Sequence, residues 1–246
     1  MRELFNELKP LFFDRIKFPS SLKLLVLAPH PDDFDAIGVT MKYFRDNGNQ
    51  IFLAVISGAA SGVEDSFMAT HPGKSKAEIR EEEQKSSSLF FGLPEKNISF
   101  LRLSEDAEGH PEESPANMEK LKTHLMEISP DMVFMPHGND TNPGHNRTYS
   151  MFKKIAPSLN KPITVFLNRD PKTIEMRNDV FTVFGKEEAE WKAELLRLHI
   201  SQHQRNLNTR NHGFDERVLK VNSEIALKYL KLQNAYAEVF EIEHFN

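Results

Sequence analysis

The sequence predicts an α/β fold, a mostly parallel sheet in a three-layer α/β/α arrangement. Short apolar runs recur along the chain and stop at Pro or polar turn residues, the pattern of strands buried on both faces. Helical segments lie between them, and that alternation calls for crossover connections, hence a parallel sheet with helices on each face. The 246 residues, 39% apolar and 27% charged, suffice for one domain with a real core. A single domain spanning 1–246 is expected, with about 180–246 as a helical and strand appendage.

The elements follow in order. Leu22–Ala28 is an apolar run closed by Pro29 and suits a buried strand. A helix over about Ala36–Asp46 ends at Asn47-Gly48, a helix stop, and Ile51–Ile56 completes a βαβ unit. Ser57–Ser75 is rich in Gly, Ser and Ala and reads as a long loop, which in a compact domain is more often functional than idle. Lys76–Phe91 is a helix ended by Gly92 and Pro94, Ile98–Leu103 a strand, Met118–Ile128 a helix, and Met132–Met135 a strand stopped by Pro136. After an irregular stretch from Pro136 to Gly144 come a helix at Asn146–Ile155 and strands at Ile163–Leu167 and Val180–Phe184. Helices are expected at Glu187–His199 and Glu216–Gln233. The apolar face of Trp191–Leu198 is a candidate subunit contact, so a homo-oligomer is allowed for.

Composition removes several functions. With no cysteine there is no disulfide, Fe–S cluster or thiol nucleophile, and any metal must sit on His, Asp or Glu. A net charge of −5 leaves no electrostatic footprint for nucleic acid. No apolar run approaches the ~20 residues of a membrane span. Met1-Arg2-Glu3-Leu4-Phe5 is unlike a signal peptide, so a cytoplasmic location is expected. No Gly-rich phosphate loop follows Ala28, which disfavours a nucleotide cofactor.

Two polar loops carry the chemistry. Ala28-Pro29-His30-Pro31-Asp32-Asp33-Phe34-Asp35 places one His and three carboxylates just past the first predicted strand, where ligands bind in open α/β sheets. Either Asp32 or Asp33 could simply cap the next helix, but two prolines around the His restrict the backbone more than a cap requires. Adjacent carboxylates also repel, and a bound cation relieves that. The second loop, Pro136-His137-Gly138-Asn139-Asp140-Thr141-Asn142-Pro143-Gly144-His145-Asn146-Arg147-Thr148, follows another strand end. Alone it reads as a turn-rich connection. Beside the first loop, it brings two more imidazoles to the same sheet edge.

Pro29-His30-Pro31-Asp32-Asp33 resembles the His-Pro-Asp-Asp signature of the PIG-L/LmbE-like family of zinc-dependent N-deacetylases. Asp140-Thr141-Asn142-Pro143-Gly144-His145 resembles that family's Asp-x-His-Pro-Asp-His. Arg80-Glu81-Glu82-Glu83 is similar to its Arg-x-x-Glu helix, His199-Ile200-Ser201-Gln202 to its His-x-Ser-Gln, and Tyr236-Ala237-Glu238-Val239-Phe240 to its C-terminal acidic-aromatic stretch. Each motif is short; their common order makes the resemblance specific. It implies a Rossmann-like fold with zinc, or another divalent transition metal, on His30, Asp33 and His145. It implies Asp32 as general base and a small-molecule substrate, an N-acetylated amino sugar such as N-acetylglucosamine or its conjugate, from which an acetyl group is removed. Two imidazoles and a carboxylate leave a fourth position for water, whose proton a neighbouring carboxylate can take. The resemblance puts Arg80 near the substrate, with Arg147 and Asp140 as further candidates.

The chain departs from the family's pattern. Phe34 stands where the family usually has Glu, and Gly144 where it has an orienting Asp. Asn142 replaces a His thought to stabilise the transition state or protonate the leaving amine; Asn donates a hydrogen bond but no proton near pH 7. His137, directly after a predicted strand, is expected to supply the missing imidazole. These departures motivate an alternative, a catalytically weakened sugar- or metal-binding member of the same fold, against which the retained Asp32 argues. Phosphoryl transfer on paired aspartates would use Mg²⁺, which imidazoles fit poorly. Arg80 and Glu83 could also be an exposed i,i+3 ion pair, and His199 and Gln202 a structural pair. His71 and His110 sit in Pro/Gly-rich loops that could line a pocket.

Overall fold

The computed structural model describes residues 2–246. Its first half comprises β1 (Leu11–Phe12), β2 (Lys23–Ala28), α1 (Gly38–Asp46), β3 (Gln50–Val55), α2 (Asp65–Met68), α3 (Lys76–Phe91), β4 (Ile98–Phe100) and α4 (Pro115–Ile128). There follow β5 (Met132–Pro136), α5 (Pro143–Ile155), β6 (Ile163–Asn168), β7 (Val180–Phe184), α6 (Lys186–Arg197), α7 (Ile200–Arg210), α8 (Phe214–Leu230) and β8 (Tyr236–Phe245). The strands form one sheet in the order β1-β7-β8-β6-β5-β2-β3-β4. β8 runs antiparallel to β6 and β7, and the remaining pairs are parallel.

The continuous apolar run of β2 has a direct cause. Leu24, Val26 and Ala28 enter one core with Met41 and Phe44 of α1, while Leu25 and Leu27 enter another with Leu121 and Leu125 of α4 and Phe152 of α5. Side chains alternate across a strand, so a strand covered on both faces must be apolar at every position. Phe34 joins the first core and packs edge-on against Phe91 at 5.0 Å.

Several elements differ from expectation. α5 begins at Pro143 rather than Asn146, because the Asn142 side chain accepts the Gly144 N–H at 3.0 Å and proline is preformed for a first helical turn. His145 therefore projects from a helix. The Trp191–Leu198 face packs inside the chain: Trp191 lies against Phe90 and Phe91 of α3, and Leu195 and Leu196 are buried. Residues 180–246 supply more than an appendage, since β7 and β8 sit between β1 and β6 in the same sheet. Among the described residues no helix is long and apolar enough to cross a membrane.

β8 was hidden by its charges, which are buried and paired. Lys192 Nζ of α6 lies 2.6 Å from Glu238 Oε1, with both side chains almost fully enclosed, and donates also to the Ala36 carbonyl and Asn222 Oδ1. Glu238 accepts the Val39 N–H at 3.2 Å through the same Oε1 and the Thr40 N–H at 2.8 Å through Oε2. It thereby caps α1, whose own cap residue, Ile37, offers no acceptor. Removing one partner of such a pair leaves an uncompensated buried charge. Glu238→Ala is expected to lose about 3–5 kcal/mol, read as a lower urea midpoint, with part of the loss recovered in Lys192→Met/Glu238→Ala. An unchanged midpoint in the single variant would refute this.

Candidate functional site

β2 delivers the chain to the carboxyl edge of the sheet, and the 29–35 turn is fixed there by α3. Asp32 adopts φ 115°, a conformation that costs a non-glycine residue about 1–3 kcal/mol and persists only when its surroundings hold it. Its N–H donates to Gln84 Oε1 at 3.0 Å, its Oδ2 lies 2.9 Å from Arg80 Nη2, and the same guanidinium takes the Pro31 carbonyl. Arg80 and Gln84 are one turn apart on the buried face of α3, so one helix face grips both ends of the strained residue. The Asp32 Oδ1 has no hydrogen-bond partner among the described residues.

Asp33 sits between two imidazoles. Its Oδ2 accepts the His30 N–H at 2.8 Å and lies 3.2 Å from His30 Nδ1, while its Oδ1 lies 3.3 Å from His145 Nε2. Behind His145, Nδ1 lies 3.4 Å from Asp140 Oδ2, and Asp140 is itself held by the Asn142 N–H and the Thr173 hydroxyl. Burial alone would raise the Asp33 pKa, but His145 and His30 hold it well below the usual carboxylate range. Burial would likewise lower His145, yet Asp33 and Asp140 push it well above its ordinary value.

One ligand atom each from His30, Asp33 and His145 lies within 4.8 Å of the others. Two imidazole nitrogens and a carboxylate oxygen, delivered by two separate segments, are a donor set for zinc or a similar divalent ion, so the residues fit such a group. Gly144 permits this arrangement: a Cβ there would collide with His30 Nε2. The family's Asp at this position could not coexist with the His30 ring as placed.

The triad opens into a cavity of about 370 Å³ that Asp32, Arg80 and Asn142 also line. Arg80 is 2% exposed and is therefore no surface ion pair with Glu83; Glu83 instead accepts from the N–H and hydroxyl of Ser201. Arg80 Nε and Nη1 remain without partners. Asn142 spends its Oδ1 on capping α5.

Three predicted site residues lie off the cavity wall. His137 Nδ1 accepts the Asn139 N–H, and its Nε2 lies 3.3 Å from Glu241 Oε2 on β8, so both nitrogens are engaged away from the cavity. Asp140 is 6% exposed and positions His145 rather than a substrate. Arg147 lies 2.5 Å from Asp106, whose pKa that contact lowers to about 2. Since Asp106 also accepts the His110 N–H, Arg147 braces the loop carrying His110. His199 is a buried partner of Asp35 at 2.6 Å, and Gln202 donates to the Gly62 carbonyl.

His110 lines the cavity, as its loop allowed, but sequence reasoning missed other parts of the lining. Asp170 and Lys172 line the cavity with Arg205, Asn206, Arg210 and Arg217 from α7 and α8, and the Asp170 carboxylate lies within 4.8 Å of ligand atoms of His145 and Asp140. Asp170 lies just past the carboxyl end of β6, a position the strand-end rule could have flagged. The arginines had no comparable signal: α7 was not foreseen, and Arg217, on the expected helix at Glu216–Gln233, belongs to no motif.

No curated protein matches the chain in sequence. Solved structures are similar in fold. N,N'-diacetylchitobiose deacetylase from Pyrococcus horikoshii has 20% identity and a TM-score of 0.70, over 90% of this chain and 83% of that one. The 4-carboxy-2-hydroxymuconate hydratase from Pseudomonas putida has 14% identity and a TM-score of 0.66, over 90% and 95%. The zinc-inhibited form of a teicoplanin deacetylase has 13% identity and a TM-score of 0.63, over 91% and 99%. Deacetylases and a hydratase share this fold, so the fold by itself leaves the chemistry open. The family is decided by sequence: residues 25–156, more than half of the chain and the span that carries both polar loops, match PIG-L, described as GlcNAc-PI de-N-acetylase, and the chain belongs to that family.

Proposed function

We propose that the chain is a metal-dependent deacetylase that removes an acetyl group from an N-acetylated amino sugar or its conjugate. The observation that carries this reading is Asp32, held in a strained conformation beside a His–Asp–His donor set at the mouth of a cavity. A protein that only bound metal or sugar would have no need of a carboxylate oxygen left free beside the donor set, which favours turnover over the weakened-binder alternative.

His30, Asp33 and His145 would hold a divalent transition-metal ion, zinc being the ion the donor set suits best. Bound there, it supplies Lewis acidity that polarises the acetamide carbonyl and lowers the pKa of water. Asp32 handles the proton. Arg80 fixes Oδ2, so Oδ1 faces the reaction, takes the proton from water as its oxygen bonds the acyl carbon, and returns it to nitrogen as the C–N bond breaks. Acetate and a free amine leave. Asn142, with Oδ1 committed to the helix cap, presents its Nδ2 amide as a donor to the developing oxyanion. His110 is the cavity imidazole outside the triad, and its buried Nδ1 has no partner. It replaces His137 as the candidate imidazole, hydrogen bonding to the transition state while the proton for nitrogen comes from Asp32.

Protein purified without added metal should contain about one zinc per chain and should release free amine from N-acetylglucosamine derivatives. His145→Ala should lose the ion. Asp32→Asn should retain it while turnover falls about 10²–10⁴-fold; a variant as fast as the parent would refute the base assignment. Asn142→Asp keeps an acceptor for the helix cap but removes the amide donor. It should melt near the parent temperature while turnover drops about 10²–10³-fold. Among imidazoles, His110→Gln should slow turnover and His137→Gln should not; the reverse order would restore His137 to the mechanism.

A further inference from the structure

The peptide plane between Pro31 and Asp32 is held on both of its polar edges by α3. Arg80 Nη2 donates to the Pro31 carbonyl, and Gln84 Oε1 accepts the Asp32 N–H at 3.0 Å. A peptide unit is planar and turns as one piece. Turning this one over would carry φ of Asp32 from its strained 115° toward the ordinary negative range, and would take both polar groups off their partners. Strain therefore pulls the plane one way and α3 the other. The Arg80 Nη2 that takes the carbonyl also lies 2.9 Å from Asp32 Oδ2, so the plane and the carboxylate share one anchor. Releasing the plane slackens the carboxylate.

Gln84 is suited to this task because its own orientation is dictated at both ends. It is fully buried, and its Nε2 donates to Asp35 Oδ2 at 3.1 Å and to the Ser87 hydroxyl at 2.9 Å. A backbone N–H only donates and a carboxylate accepts, so the amide fits one way round between Asp32 and Asp35. Asp35 cannot follow a displaced amide. It is fully buried, and the same Oδ2 lies 2.6 Å from His199 Nε2 and accepts the Ser87 hydroxyl at 3.2 Å.

We infer that Gln84 is a positioning residue of the reaction: with its amide oriented by Asp35, it pins the Pro31–Asp32 peptide plane and so keeps the Asp32 carboxylate on Arg80 with Oδ1 free for the proton. This inference rests on the reading of Asp32 as the proton-carrying group and adds the residue that keeps it in place. Gln84 does not line the cavity, so its effect runs through Asp32.

The test uses the zinc-loaded protein and two substitutions. Gln84→Met keeps the length of the side chain and removes both ends of the lock. Gln84→Asn keeps an amide for Ser87 and Ser88, which preserves the fold, but is one methylene too short to span Asp32 and Asp35. Each should lower kcat about 10- to 100-fold, the range that the strain at Asp32 allows, with KM and zinc content at parent values. In the Asp32→Asn background Gln84→Asn should cost nothing further, since the carboxylate it positions is already gone. Asn49→Ala is the stability control. It loses a buried amide that bridges the Leu22 N–H and the Phe44 carbonyl at the amino edge of the sheet, and should lower the melting temperature with kcat unchanged. Amide hydrogen exchange reads the contact without turnover: the Asp32 N–H should be protected in the parent and exchange at least about 10-fold faster in Gln84→Asn. Parent-level kcat or unchanged exchange in Gln84→Asn would overturn the inference. So would an equal fold-loss with and without the Asp32 carboxylate, since Gln84 would then act independently of it. If the parent releases no amine from N-acetylated amino sugars, the deacetylase reading fails, and exchange at Asp32 still decides whether Gln84 holds the plane.

Discussion

Three carboxylates occur within four residues after β2, and the site exists because each is answered by a basic side chain from a different helix. Asp32 meets Arg80 of α3, Asp33 meets His145 of α5, and Asp35 meets His199 at the start of α7. Bare carboxylates so close together would repel, and burial would raise the cost further. The sheet solves this by bringing the ends of three crossover segments to one edge. The turn is therefore as much a junction of helices as a loop, and its conformation depends on contacts far away in sequence.

The same arrangement gives three identical side chains three different characters. Asp35 is fully enclosed, and Gln84, Ser87 and His199 all donate or sit against its Oδ2, so it serves as an anchor. Asp33 faces the cavity with an imidazole on each oxygen, the setting of a metal ligand. Asp32 keeps one oxygen free, and its backbone is held out of its preferred region by the Arg80–Gln84 grip. Phe34 sits between them in the core against Phe91, and this explains the loss of the family's Glu at that position: the turn is tied down by apolar packing as well as polar contacts. Environment, rather than residue type, divides the labour.

The parts of this legible in the sequence were those governed by local rules. The β2–α1–β3 unit and the span of α3 follow from apolar runs and Gly stops, and the structure adds the Ser75 capping box that starts α3. The His30, Asp33 and His145 cluster followed from residue type at strand ends and from the family resemblance. What remained hidden depends on partners distant in the chain. The carboxylates Glu238 and Glu241 interrupt the apolar pattern of β8 and are buried only because Lys192 and Arg177 meet them, so no strand was placed there from the sequence. His137 is adjacent to the second motif, yet β8 places Glu241 against it and takes it out of the cavity. Arg147 was similarly claimed by Asp106. Proximity along the chain was a poor guide wherever a buried counter-charge from another element competed for the side chain.

The departures from the family's second motif form one coherent change rather than separate losses. A glycine at 144 lets the His30 ring approach the first turn of α5, and that approach brings His30 and His145 to a ring separation of 5.3 Å around Asp33. The same turn needs a cap, which Asn142 provides and a histidine would provide less well. Asn142 and Gly144 thus trade an imidazole and a carboxylate for a tighter helix start. Basic groups outside the motif also line the cavity, His110 and the arginines Arg205, Arg210 and Arg217 of α7 and α8. The polar lining of the cavity is thus drawn from several elements rather than from one short motif.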